Sequence, residues 1–168
     1  DNPQPKPKVG PEFSGVSLGA DGEPVCVDAS MNMSSADVKK QLMALMPLIK
    51  ERLHFLSDAA EMVHFLFTEP AVPAKENIIP KKLDEAKTKE VLVKAKDYVA
   101  EIFGMEHEAA EELAKKYAEE LGIKLGDFMM PVRMAVTGSK VSPPLIGSIW
   151  ILGKERAVAR VERTLAAF

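Results

Sequence analysis

From residue 37 onward the apolar side chains of this chain return at intervals of three and four, and no convincing two-residue alternation is found anywhere. Such an interval lines one face of an α-helix, whereas a half-buried strand must point every second side chain inward. The expected fold class is therefore all-α. Val38, Leu42, Leu45, Met46, Ile49 and Leu53 mark a first helix over Asp37–Leu53, bent by Pro47. Ser57 followed by Asp58 and Glu61 begins a second, which carries Met62, Val63, Leu66 and Phe67 and ends before Pro70.

Pro70, Pro73 and Pro80 each hold their predecessor extended, so residues 68–80 read as a loop between two helical subdomains. The division expected is a tail or linker over 1–33, a first helical subdomain over 34–72 and a second over 73–168. In the second, Lys81–Phe103 and Met105–Leu121 read as an antiparallel pair, with Gly122 placed for a left-handed cap. Leu125–Val136 is apolar almost all round and predicts a central buried helix despite Pro131, stopped by Gly138. Ser142 with Pro143 reads as a hydroxyl cap and a preset first turn. Gly153 then separates a short helix from Lys154–Ala167. There Val158, Val161 and Leu165 are expected inward, with Arg156, Arg160 and Arg163 aligned outward.

The head is different in kind. Pro3, Pro5, Pro7, Pro11 and Pro24 alternate with Gly10, Gly15, Gly19 and Gly22, a composition that reads as a disordered tail, part of it vector-derived. Residues 1–10 carry no apolar core of signal-peptide length, and the most apolar run, Leu145–Leu152, is too short to span a bilayer. Cys26 is the sole cysteine, so no internal disulfide can form, and a reducing cytoplasm is the expected compartment. The net charge of −3 excludes a protein that coats nucleic acid by bulk electrostatics. Its distribution is uneven, however. Residues 101–123 hold seven acids against Lys115 and Lys116, a balance of −5, whereas residues 124–168 hold seven cations against three acids, a balance of +4. An anionic partner would meet the last third.

Little in the chain suggests catalysis. His107-Glu-Ala-Ala-Glu111 has a glutamate where a zinc-binding second histidine would stand, and reads as a solvated acidic face. The glycines of the head lack the Lys-Ser/Thr that completes a phosphate-binding loop. His54, His64 and His107 are scattered, and Cys26 lies far in sequence from all three. No catalytic residue and no metal site are therefore expected in this chain.

The order of parts near the C-terminus is more informative. Asp127-Phe-Met-Met-Pro-Val-Arg-Met-Ala-Val-Thr-Gly138 leads into Ser142-Pro-Pro-Leu-Ile146 and then Leu152-Gly-Lys-Glu-Arg156. This order resembles the C-terminal anticodon-binding region of bacterial glutamyl-tRNA synthetases. Met46-Pro-Leu-Ile-Lys-Glu-Arg-Leu53 and Met62-Val-His-Phe-Leu-Phe67 extend the likeness to roughly residues 42–168. The aromatic-rich segment that leads into this region in the family is absent, and residues 1–32 match nothing recognisable.

The resemblance implies a tRNA partner, glutamate isoacceptors read at the anticodon loop, and a class I catalytic domain in the same polypeptide that uses ATP and Mg²⁺. The His-Ile-Gly-His-like and Lys-Met-Ser-Lys-like motifs of such an ATP site are not in this chain. By position, Arg52 falls where glutamate-only members place the arginine that reads the third anticodon base. A guanidinium fork can bridge two adjacent acceptors of an unpaired cytosine but meets donors on guanine, a mismatch worth about 1 to 3 kcal/mol. Arg133 corresponds to the residue that meets the first base, and a planar guanidinium can stack while donating hydrogen bonds. Ser142, Pro143 and Leu145 correspond to the turn that cradles the middle base. Lys140, Lys154, Arg156, Arg160 and Arg163 are candidate phosphate contacts, with a solvated charged face as the plain alternative. The whole would be a cytoplasmic monomer. The competing class is an all-helical protein-interaction module, with a methionine-rich adaptable groove on the pair Lys81–Leu121. Arg52 and Arg133 on one open surface with the Ser142 turn would favour RNA.

Overall fold

The computed structural model describes residues 16–18, 20, 22–26, 33–50 and 56–168. These fall into two compact units, Asp1–Glu69 and Pro70–Phe168. In the first, β1 (Val16–Leu18) and β2 (Pro24–Cys26) form an antiparallel pair with Val16 opposite Cys26. This pair is the departure from helix among the described residues, within the stretch read as a tail. Strands of three residues carry too little alternation to register in the sequence.

Helix α1 (Ser35–Ile49) opens with a capping box at Ser34 and starts two residues ahead of the expected Asp37. The Ser34 hydroxyl accepts from the Asp37 N–H at 3.2 Å, and the Asp37 carboxylate accepts from the Ser34 N–H at 3.2 Å and from its hydroxyl at 2.6 Å. These bonds from Ser34 hold the Asp37 carboxyl below its ordinary value. The helix runs through Pro47 and buries Val38, Leu45 and Ile49, packing on β2 and on α2 (Leu56–Phe67). Val63, Phe65, Leu66 and Phe67 close this small core, and the Cys26 thiol lies 3.2 Å from the Phe67 carbonyl.

The second unit is built around one helix. After the short α3 (Lys75–Ile78) come α4 (Glu85–Glu101), α5 (His107–Glu120), α6 (Leu125–Thr137), α7 (Leu145–Leu152) and α8 (Lys154–Ala166). Helix α6 packs against α3, α4, α5 and α8, as its all-round apolar composition requires, and α7 packs on α8. Asp84 caps α4 by accepting from the Lys87 N–H at 2.7 Å. Gly122, at φ 66°, ends α5 with Ile123 N–H bonded to the Ala118 carbonyl at 3.0 Å, the six-to-one bond of a left-handed glycine cap.

At the start of α6, Phe128 stacks on Tyr117 with ring centroids 6.0 Å apart and meets Tyr98 edge-on at 5.6 Å. The Tyr98 hydroxyl donates to the Ala110 carbonyl at 3.3 Å, and burial pushes its ionisation well above the ordinary tyrosine range. Tyr117 donates to Glu101 at 3.0 Å; burial first, then this bond, raise its pKa to about 12. The inward faces of α4 and α5, from Val91 through Tyr98 and from Ala110 through Ala118, are thus used inside the unit.

Candidate nucleic-acid interface

Helix α6 stops at Gly138, whose φ of 71° is a left-handed conformation and whose N–H closes on the Met134 carbonyl at 3.0 Å. A side chain is excluded there twice over, because a β-carbon would stand 2.7 Å from the Pro70 β-carbon. The residues on either side carry hydroxyls, and these tie the turn to itself. The Thr137 hydroxyl lies 2.9 Å from the Arg133 carbonyl and accepts from the Ser139 N–H at 3.3 Å, while the Ser139 hydroxyl accepts from the Val141 N–H at 3.2 Å. Lys140 reaches back to the Asn77 side-chain oxygen at 3.2 Å.

Arg133 fastens the far side of the turn. Its Nη1 donates to the Ser142 hydroxyl, to the Ser142 carbonyl at 3.4 Å and to the Pro143 carbonyl at 3.3 Å. A half-buried cation within an apolar helix needs acceptors, and three converge on one nitrogen. Ser142 and Pro143 are buried beneath this contact, and Leu145 is buried as the first residue of α7. Val141 stands out from the same turn and is 72% exposed. Arg133 and the Ser142-Pro143 pair, nine and ten positions apart, are therefore one constellation, with Lys140 beside it. Arg52 lies outside the described residues.

Several sequence expectations need correction. Ser142 does not cap a helix: α7 begins at Leu145 after Pro144 at φ −49° and ψ 123°, and the Ser142 hydroxyl instead donates to the Pro143 carbonyl at 3.0 Å. The cause is the second proline, because Pro144 holds Pro143 out of helical geometry and delays the first turn. Arg160 does not face outward. It is 1% exposed, and its Nη1 donates to the Val136 carbonyl at 2.7 Å. That carbonyl belongs to the last turn of α6 and has no partner within its own helix, so a neighbouring cation satisfies both its lone pair and the helix dipole. The buried face of α8 is accordingly Ala157, Arg160, Val161 and Thr164, with Val158 and Leu165 at its margins. Arg163 is half-buried and donates to the Pro70 carbonyl at 2.6 Å. Of the remaining cations, Lys140 and Lys154 are exposed and Arg156 is half-buried.

The sequence reading passed over Val141, Thr137 and Ser139. The available signal was a glycine flanked by hydroxyl residues, which commonly marks a self-bonded turn. Trp150 is half-buried and donates from its indole to the Ile102 carbonyl at 2.9 Å, anchoring α7 to the end of α4.

Fold and turn together define a predominantly helical scaffold whose distinctive chemistry sits at one preset, cation-flanked turn. Residues 24–165 match the family described as an anticodon binding domain, and the chain belongs to that family. The glutamate–tRNA ligase of Treponema denticola is 58% identical over 128 residues, 76% of this chain and 25% of that enzyme. That of Treponema pallidum is 48% identical over 127 residues, 76% of this chain and 24% of the enzyme. The chain thus spans about a quarter of the length of the curated relatives it matches. A crystal structure of a glutamate tRNA ligase from Elizabethkingia meningosepticum shares the fold, with a TM-score of 0.61 over 82% of this chain and 30% of that one, at 21% identity. No helix among the described residues is long and apolar enough to cross a membrane.

Proposed function

We propose that this chain reads the anticodon loop of glutamate tRNA for a glutamate–tRNA ligase, whose activation of glutamate with ATP and Mg²⁺ takes place in the rest of a longer polypeptide. The observation that carries this reading is the clamp of Arg133 on Ser142 and Pro143. It fixes a turn in advance and leaves a cation and an apolar side chain at its surface, as recognition of a splayed, unpaired loop requires. Arg133 acts chiefly by holding the turn, since its Nη1 is committed to three acceptors. Lys140 and Lys154 are assigned to phosphates; Arg160 is withdrawn from that role, and Arg163 acts through Pro70. Arg52 is assigned to the third anticodon base. The working protein is a cytoplasmic monomer.

The competing reading, a protein-interaction groove on the pair Lys81–Leu121, has less support, because the inward faces of α4 and α5 are already filled by α6 and α8. The deciding experiment is a salt-dependent titration of this chain with two anticodon hairpins that differ only in the third anticodon base, cytosine or guanine. A cytosine preference of about tenfold is expected, lost in Arg52→Gln. Equal affinity for both hairpins, with a steep salt slope, would reduce the role to phosphate contact.

A further inference from the structure

Val141 is the most exposed large apolar side chain among the described residues, and its surroundings make that exposure unusual. An apolar residue on a slack surface loop needs no explanation. This one sits on a turn fastened from both ends: Gly138 against Pro70, Thr137 and Ser139 bonded within the turn, and Arg133 on Ser142 and Pro143. Its own N–H is engaged by the Ser139 hydroxyl at 3.2 Å. The side chain is therefore held outward by a rigid frame, at a position where turns ordinarily carry glycine, asparagine, aspartate or serine. Lys140 precedes it, and the buried Ser142 follows.

We infer that Val141 is a ledge on which one unpaired base of the bound loop rests its face, with Lys140 beside it for the adjoining phosphate. The inference rests on the anticodon-reading proposal and adds a residue to it. A branched aliphatic surface covers a base face without reading its edge, so Val141 contributes affinity and places the loop, while hydrogen-bonding groups discriminate. An isolated apolar side chain flanked by a cation suits a nucleobase and its phosphate better than a protein surface, which needs a contiguous apolar patch.

The test is a double-mutant cycle on the whole chain. Wild type, Val141→Ala and Val141→Glu are titrated with a glutamate anticodon hairpin and with three versions of it, each lacking one anticodon base. Val141→Ala is expected to weaken binding of the intact hairpin about threefold to tenfold. It should have no effect on the one hairpin that lacks the base resting on Val141. Val141→Glu should weaken binding further, and both variants should melt at the wild-type temperature because the side chain is exposed. If wild type binds while both variants bind equally well, or if Val141→Ala weakens all four hairpins alike, the ledge is overturned and anticodon reading stands. If wild type binds none of the hairpins at low salt, both proposals fall together.

Discussion

The two ends of α6 are built on opposite physical principles. At its start Phe128 is closed in by Tyr98 and Tyr117, rings packed against rings, with the two hydroxyls led away to Ala110 and Glu101. At its end the contacts are hydrogen bonds with defined directions: Arg133 to the Ser142 turn, Ser139 to Thr137, and Arg160 to Val136. Apolar burial is large and tolerant of small shifts, whereas a hydrogen bond adds less but fixes position. Stability thus concentrates where the helix begins, and geometric definition where it ends. A single helix can serve both needs because they are separated along its length.

Breaking the first end should have the largest effect. Phe128→Ala removes the ring shared by both tyrosines and should lower unfolding stability by about 3 to 5 kcal/mol, seen as an earlier urea midpoint. Hairpin affinity of the fraction still folded should be unchanged. A selective loss of binding instead would show that the two ends are not independent. At the other end, Gly138→Ala meets both the positive φ and the Pro70 ring, and a loss of about 1 to 3 kcal/mol is expected. Here hairpin affinity should fall as well, because the turn must move to admit the β-carbon; unaltered binding would mean that the loop does not depend on that turn.

The smallest effect sharpens the account of the aromatic end. An unfolded chain loses the Tyr117 proton near the ordinary value of 10.0, and the folded one only near 12. Protonated Tyr117 therefore favours the folded state, its contribution being complete below pH 10 and lost progressively as pH rises towards 12. Tyr117→Phe should flatten part of the alkaline fall in stability, with Tyr98 and Lys115 among the groups that sustain the rest. An alkaline limb identical to wild type would show that Tyr117 ionises as freely in the fold as outside it.

The sequence made the scaffold legible and the clamp only partly so. Leu92, Ala95 and Val99 recur at helical spacing and are buried on α4, and the all-round apolar α6 is central. These features follow from local periodicity, which needs no knowledge of neighbours. Arg160 was misjudged for the opposite reason. Arginine on an amphipathic helix normally marks the solvent face, and only the open carbonyl of Val136, on another helix, makes an inward position favourable. Arg133 reads from the sequence as the residue that meets the first anticodon base, and its hydrogen-bond partners on the turn depend on where the Pro143-Pro144 pair sends the chain. The short α3 and the β1–β2 pair escaped because elements of four and three residues carry too few repeats of either pattern to stand out.

Pro70 has a bearing on the order of events. Its ring abuts Gly138 and its carbonyl is held by Arg163, 93 positions away in sequence. Helices with near-neighbour contacts form within microseconds, whereas a loop of that length closes only after much else is in place. A nascent chain that has not yet released Arg163 from the ribosome would already carry the self-bonded turn over 137–143, with Pro70 still unanchored by Arg163. The bracing of that turn would then arrive late and in one step, rather than accumulating helix by helix as the chain emerges.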